Sequence, residues 1–120
     1  FLILDAAMND LLRPALYEAY HDIVPVLQPS VNQEHKIYDV VGPVCETGDT
    51  FAKARTMCMC NPGDLVAFRS AGAYGAAMAS EYNTRPLVPE VLVNDSNYSA
   101  IRERPKLEEI IARDKMPNWL

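Results

Sequence analysis

The sequence predicts a mainly β domain, a barrel or sandwich with a few short helices. Short runs rich in β-branched and aromatic residues, such as Lys36–Val41 and Leu65–Phe68, are typical of strands. Turn signals separate these runs, and the clearest is Asn-Pro-Gly-Asp at 61–64. The sequence has no internal repeat and no strand followed by a glycine-rich phosphate loop, which argues against an α/β fold.

The first two predicted elements are a strand and a helix. Phe1–Leu4 is apolar and ends before a charged residue, which is typical of a short buried strand. Asn9 and Asp10 offer side-chain caps for a helix over about residues 11–20. Pro14 falls in the first turn of that helix, where its missing N–H does little harm.

The rest of the chain is predicted as short strands joined by turns, with two further helices. The predicted strands are Ile23–Leu27, which its prolines limit to a short edge strand, Lys36–Val41, Leu65–Phe68, Glu90–Val93 and Tyr98–Arg102. Ala71–Tyr82 is rich in Ala, Gly and Met and predicts a tightly packed short helix. Lys106–Ala112 has apolar residues at helical spacing and predicts a small amphipathic helix.

Composition limits the classes of function. Hydrophobic residues make up 49% and charged residues 22%, the balance of a globular domain. A net charge of −5 without a cluster of basic residues argues against nucleic-acid binding, and the apolar runs are too short for a membrane. An odd number of cysteines, three, suits reduced thiols in the cytoplasm. Because the chain opens on a strand-like run without an initiator Met, we expect a piece of a longer polypeptide.

Arg13 and Tyr17 are the first candidates for a binding role. They lie four residues apart on the predicted helix, so they share one face. A guanidinium beside a phenol hydroxyl suits a substrate carboxylate. Spacing alone favours the simpler interpretation, an ordinary surface arginine beside an amphipathic tyrosine.

The turn Cys-Glu-Thr-Gly-Asp at 45–49 is the second candidate. It puts a thiol and two carboxylates at the end of a strand, where functional side chains are common. A thiol can donate a proton in catalysis. Spacing alone favours the alternative, in which Cys45 is a small buried apolar residue and Asp49 only stabilises the turn.

Tyr74 is the third candidate, because Gly72 and Gly75 flank it. Glycines permit a close approach of the backbone to a ligand, and the tyrosine would supply a ring and a hydroxyl. The alanines that follow make the alternative, a tight helix-packing site, quite credible.

Cys58 and Cys60 give only weak evidence for a metal site. No second cysteine pair is present, and His21 and His35 lie far from them in the sequence. We therefore expect no metal, two buried or half-buried thiols, and a histidine at position 21 that packs at a helix end.

Taken together, five segments resemble signature stretches of the diaminopimelate decarboxylases. These segments are Met8–Tyr17, Val41–Asp49, Gly72–Met78, Tyr82–Pro86 and Glu90–Val93. Their order and spacing also fit, and the resemblance extends from the first residue to about residue 104. The Met-Cys-Met-Cys run at 57–60 departs from the family pattern, but it lies in a strand and turn outside the candidate site.

The resemblance implies a larger enzyme. Residues 1–120 would be its C-terminal β domain, similar to that of alanine racemase, and an N-terminal (β/α)8 barrel would lie outside this chain. The implied cofactor is pyridoxal 5'-phosphate, bound through a lysine of that barrel, since no lysine of this chain has a similar sequence context. The implied assembly is a homodimer with shared active sites.

The resemblance also implies a reaction and residue roles. The reaction is decarboxylation of meso-diaminopimelate to L-lysine and CO2, a step of lysine biosynthesis in the cytoplasm. Cys45 would be the proton donor, acting in the site of the partner subunit. Arg13 and Tyr17 match positions that bind a substrate carboxylate, and Glu46 matches the position that binds the distal ammonium. Tyr74 matches a tyrosine that contacts both cofactor and substrate.

Two other functions stay open. A decarboxylase of the same fold that acts on ornithine, arginine or carboxynorspermidine would share the cysteine turn. Ornithine enzymes have Asp in place of Glu46 and lack the Arg-Pro-Ala-Leu-Tyr segment, which favours diaminopimelate. Alternatively, the isolated chain is a non-catalytic module for dimerisation and recognition, because the cofactor lysine lies outside it.

Overall fold

The computed structural model describes residues 1–119, which fall into two compact units, Phe1–Ala79 and a second that begins at Ser80. The first unit contains β1 (Leu2–Ile3), α1 (Arg13–Tyr17), β2 (Ile23–Pro25), β3 (His35–Val41), β4 (Thr50–Cys58), β5 (Val66–Phe68) and α2 (Gly75–Met78). The second contains a 3-10 helix (Tyr82–Thr84), β6 (Glu90–Asn94), β7 (Asn97–Arg102) and α3 (Leu107–Ile111). Strands dominate and the helices are short, which confirms the predicted mainly β class.

The first unit is built on a three-stranded sheet. β1 runs parallel to β3, with Leu2 opposite Val40, and β3 runs antiparallel to β4, with His35 opposite Cys58. The register of β3 and β4 shifts beside Val40, an irregularity of the kind that increases local twist. β2 and β5 form a separate antiparallel pair. The strands thus pair in small open sheets, none of which closes into a barrel within residues 1–119.

The core of the first unit joins the strands to the segment before α1. Its buried apolar members are Leu11, Ile23, Val40, Phe51 and Met57. The ring centroids of Phe51 and Phe68 lie 4.8 Å apart with the planes tilted by 53°, a contact that packs β4 on β5. Burial of these side chains fixes β4 against the part of the chain that leads into α1.

The helix α1 is shorter than the sequence predicts. It begins at Arg13, and neither Asn9 nor Asp10 caps it, since its N-cap position has no side-chain hydrogen bond. Oδ2 of Asp10 instead accepts a hydrogen bond of 2.9 Å from the backbone N–H of Ala7, which closes a local turn. Glu18 then adopts a left-handed conformation with φ of 53°, which ends the helix.

Two further elements differ from the prediction. The sequence does not predict β4, because alanines and the charged residues Lys53 and Arg55, none of which favours strands, occupy its middle. Pairing along β3 makes this segment a strand. Conversely, only Gly75–Met78 of the predicted helix Ala71–Tyr82 forms α2, because Tyr74 just before it is left-handed with φ of 62°.

The second unit consists of a hairpin and short helices. β6 and β7 pair around a tight turn in which Asp95 has φ of 52°, as such turns require. The backbone N–H of Lys106 donates to Oε2 of Glu109 at 2.9 Å at the start of α3. These elements confirm the two predicted strands and the predicted terminal helix. Within residues 1–119, no helix has the length and apolar character that a bilayer-crossing helix needs.

Two of the three cysteines lie where β4 ends. Cys58 is buried and Cys60 half-buried, as expected for packed thiols. Sγ of Cys58 lies 3.4 Å from Nε2 of His35, and the Cys60 thiol donates to the carbonyl oxygen of Cys58 at 3.4 Å. Burial, followed by the negative charges of Asp64 and Cys58, raises the pKa of the Cys60 thiol. Cys60 therefore stays protonated and weakly nucleophilic near neutral pH.

The raised pKa of Cys60 predicts how this thiol reacts with iodoacetamide. Only the thiolate reacts, so the alkylation rate should still be rising above the ordinary thiol pKa of 9.0. Asp64→Asn removes one of the charges that oppose ionisation and should move the rate profile to lower pH. Peptide mass spectrometry across a pH series measures both profiles. Glu103→Gln, an exposed change in the second unit, is the control. A wild-type rate that is already level below pH 9.0 contradicts the prediction.

Candidate functional site

α1 presents the first two candidate residues. Arg13 begins this helix and Tyr17 ends it, so their side chains lie about one turn apart on the same side. Pro14, the second residue of the helix, is its buried member. Arg13 is half-buried, whereas Tyr17 is 60% exposed. The helix therefore holds a guanidinium at the edge of the core and a phenol in solvent.

Arg13 lies beside Tyr74. Its Cζ atom is 5.6 Å from the centroid of the Tyr74 ring, within the range of a cation–π contact. Its Nε is buried and has no hydrogen-bond partner among residues 1–119. A buried N–H without an acceptor costs about 1–3 kcal/mol, so a ligand oxyanion here would relieve that cost. The structure thus brings together two candidate residues that are far apart in the sequence.

The side chain of Tyr74 is exposed to solvent. It has a left-handed backbone, with φ of 62° and ψ of 3°, and its side chain is 65% exposed. Such a backbone costs about 1–2 kcal/mol for a residue with a Cβ, and it tends to occur at functional sites. A Cβ added at Gly72 or Gly75 would meet nothing within 4 Å. Within the first unit, this space around the two glycines does not favour the alternative interpretation as a tight helix-packing site.

Cys45 and Glu46 lie on the turn that joins β3 to β4. The backbone N–H of Glu46 donates to the Val44 carbonyl at 2.8 Å, and that of Asp49 donates to the Glu46 carbonyl at 3.1 Å. Both side chains are exposed, and the Cys45 thiol has no hydrogen-bond partner within residues 1–119. The alternative in which Cys45 is buried in the core is therefore wrong. The turn offers a thiol and a carboxylate to whatever lies against it.

Asp49 is the buried member of this turn, with a relative exposure of 3%. Its Oδ1 accepts a hydrogen bond of 2.7 Å from the backbone N–H of Met8, and its Oδ2 accepts one of 2.8 Å from that of Val44. Asp49 therefore does more than stabilise its own turn. The sequence gives no local signal for the contact with Met8, because the two residues are 41 positions apart.

Two cavities lie in the first unit. One of about 360 Å³ lies between α1, β4 and the turn residues Thr47 and Gly48. Another of about 640 Å³ is lined by β1, β5 and the turn before β5. Neither is lined by a candidate residue. Within residues 1–119, no group of three or more His, Cys, Asp or Glu side chains is arranged to hold a metal ion. Of the five candidate residues, Arg13 is half-buried and the other four are exposed, so within residues 1–119 they lie open to solvent.

Known proteins resemble the chain along its whole length. The family model described as "Pyridoxal-dependent decarboxylase, C-terminal sheet domain" matches residues 1–72. A diaminopimelate decarboxylase of Zymomonas mobilis subsp. mobilis is 52% identical over 120 residues, and one of Archaeoglobus fulgidus is 41% identical over 120 residues. The chain spans only 28% of the length of either relative.

Solved structures agree with this relationship. A diaminopimelate decarboxylase of M. jannaschii matches with a TM-score of 0.89 at 38% identity, over 98% of this chain and 26% of that one. A lysine/ornithine decarboxylase of Vibrio vulnificus, complexed with cadaverine, matches with a TM-score of 0.61 at 25% identity, over 72% of this chain and 23% of that one. Since the family model covers more than half of its length, the chain belongs to the pyridoxal-dependent decarboxylases, through their C-terminal sheet domain.

Proposed function

We propose that the full-length protein decarboxylates meso-diaminopimelate to L-lysine and CO2, and that this chain supplies the substrate-recognition and proton-donor half of the site. The observation that carries the proposal is Arg13, whose buried Nε lacks a partner within residues 1–119 while its guanidinium lies against Tyr74. Such a group is well suited to an anionic ligand. Diaminopimelate carries carboxylates, and the relatives at 41% and 52% identity bear the name of the enzyme that acts on it.

The cofactor of the proposed reaction is pyridoxal 5'-phosphate. When bound, it supplies the electron sink that carbon–carbon cleavage at an amino acid requires. Tyr74 suits the edge of such a site, because its exposed ring and hydroxyl can lie against a flat heteroaromatic group. The lysines at 36, 53, 106 and 115 are all exposed. None of them lies in a sequence context like that of the cofactor lysine, so in this proposal that lysine belongs to an N-terminal (β/α)8 barrel outside the chain.

Arg13, Tyr17 and Glu46 would recognise the substrate. The guanidinium and the phenol hydroxyl, on one side of α1, can both donate hydrogen bonds to one carboxylate. The exposed carboxylate of Glu46 would bind the distal ammonium, which distinguishes diaminopimelate from simpler amino acids. Groups of opposite charge at two ends of the site would orient the substrate as well as bind it.

Cys45 would hold the proton that returns to Cα after CO2 has left. Its thiol is exposed and, within residues 1–119, not engaged in any hydrogen bond, so it is free to approach a substrate. Because this surface is open, the rest of the pocket must come from other parts of the protein. We propose that the barrel and a second subunit of a cytoplasmic homodimer supply it, with Cys45 acting in the site of the partner subunit.

A substrate panel tests the proposal. The full-length protein with added pyridoxal phosphate should release CO2 from meso-diaminopimelate with a kcat/KM at least about 100-fold above that for ornithine, arginine or carboxynorspermidine, because their missing groups leave site residues unpaired. Chromatography should detect L-lysine in equal amount. Equal or faster turnover of ornithine contradicts the substrate assignment. The absence of CO2 from all four contradicts an enzymatic role.

The isolated chain tests whether its own role is confined to recognition and dimerisation. Residues 1–120 mixed with pyridoxal phosphate and then dialysed should retain no stoichiometric absorbance band of a lysine-bound cofactor, because an exposed lysine forms only a reversible imine that no surrounding pocket holds. The full-length protein under the same conditions should give a clear band. A band from the isolated chain would place the cofactor lysine within it and contradict the proposed division.

Arg13 tests the recognition half of the proposal. Arg13→Ala should raise the KM for diaminopimelate about 10- to 100-fold, the effect of losing hydrogen bonds to a charged group. Arg13→Lys keeps the charge without the planar fork and should recover only part of this loss. Arg69→Ala, an exposed arginine of the same unit, is the control and should change KM by less than about twofold. Steady-state kinetics measures all three, and an unchanged KM in Arg13→Ala excludes the role.

A further inference from the structure

We infer that Asp49 is a positioning residue, which sets the turn carrying Cys45 and Glu46 relative to the segment leading to Arg13. The inference rests on the proposed function, since it gives Asp49 a role in the same site. Its basis is the pair of hydrogen bonds that one buried carboxylate accepts, 2.7 Å from Met8 N–H and 2.8 Å from Val44 N–H.

Asp49 is linked to the site through Val44 to Cys45 and through Met8 to Arg13, and each link spans few residues. Val44 directly precedes Cys45, so an anchored Val44 amide limits where the thiol can lie. On the other side, the segment between Met8 and Arg13 is held by backbone hydrogen bonds from residues 10 and 11 to the Ala7 carbonyl, at 2.9 and 3.4 Å. A shift of Asp49 would therefore move Cys45 relative to Arg13 rather than be absorbed by a flexible loop.

The geometry suits a carboxylate in particular. Each of its two oxygens accepts one backbone N–H, whereas an asparagine side chain has one acceptor oxygen and an NH2 group that would face the other N–H. The backbone of Asp49 closes the same turn, because its carbonyl accepts from Gly42 N–H at 3.0 Å. Asn at position 49 would thus leave a buried donor without an acceptor at one of the two segments.

Gly42 provides the space that this carboxylate occupies. A Cβ added at Gly42 would overlap with Oδ2 of Asp49, at a separation that real Cβ atoms essentially never show. Gly42→Ala therefore displaces the carboxylate while leaving the aspartate itself in place. It is a second, chemically independent way to disturb the same contact.

Hydrogen exchange of the full-length protein tests the link between segments without relying on activity. Asp49→Asn should speed amide exchange about tenfold or more in both segments, residues 6–12 and residues 43–50. Gly42→Ala should do the same. Asp39→Asn is the matched control, because Oδ1 of Asp39 also accepts a backbone N–H, that of Ala54, at 2.7 Å. It should leave both segments unchanged. Faster exchange confined to residues 43–50 would overturn the inference.

A double-mutant cycle of Asp49 and Cys45 tests whether Asp49 positions the thiol or only stabilises the fold. Asp49→Asn should lower kcat about 10- to 100-fold, as expected for a misplaced proton donor. In a Cys45→Ala background the same change should lower kcat by less than about threefold, since the donor is already gone. Equal factors in both backgrounds would mean a merely structural role and overturn the inference. Asp39→Asn should leave kcat within about twofold.

The outcomes separate this inference from the proposed function. If the wild type releases no CO2 from diaminopimelate while exchange rises in both segments, the proposed function fails and the link through Asp49 stands. If the wild type is active but Asp49→Asn lowers kcat by the same factor with and without Cys45, the function stands and the positioning role fails. If Asp49→Asn does not fold, Gly42→Ala enters both experiments in its place with the same expected results.

Discussion

The candidate site depends on one buried carboxylate. The paired register of β3 and β4 ends at Val41 opposite Thr50, and backbone hydrogen bonds close the turn beyond it without tying it to the segment before α1. Asp49 fixes the turn by accepting backbone N–H groups from Val44 within it and from Met8 outside it. A single buried side chain satisfies two part-buried donors, so the turn and the approach to α1 hold or loosen together.

Sequence patterns predict those parts of the fold whose signals are local. The strands β6 and β7 are recognisable because their apolar and β-branched residues flank a polar turn. β4 is not recognisable, because charged residues such as Lys53 and Arg55 occupy its middle and only pairing with β3 makes it a strand. The same reason explains the shortened helix near Tyr74, whose left-handed backbone is set by its surroundings and not by its helix-forming neighbours.

The candidate site likewise has features that local sequence spacing predicts and contacts that it cannot predict. Spacing puts Arg13 and Tyr17 on one side of a helix, and Cys45 and Glu46 on one turn, but for each pair it favours an ordinary structural role. The contacts that argue for function, Arg13 with Tyr74 and Asp49 with Met8, join residues distant in sequence. No periodicity within a segment can encode such contacts. Only the resemblance of several segments to one family, taken together, indicated that they belong to a common site.

The surroundings of the three cysteines show why residue type alone does not identify a proton donor. Cys58 lies against His35, and Cys60 donates to a backbone carbonyl and has a raised pKa, so both thiols are held by the fold. Cys45 is exposed and, within residues 1–119, makes no hydrogen bond. The turn that carries Cys45 is nevertheless anchored by the buried carboxylate of Asp49. A proton donor needs this combination, because the thiol must be free to reach a substrate atom while the backbone that carries it stays in place. Cys45 is therefore the thiol of the described chain whose surroundings suit the proposed chemistry.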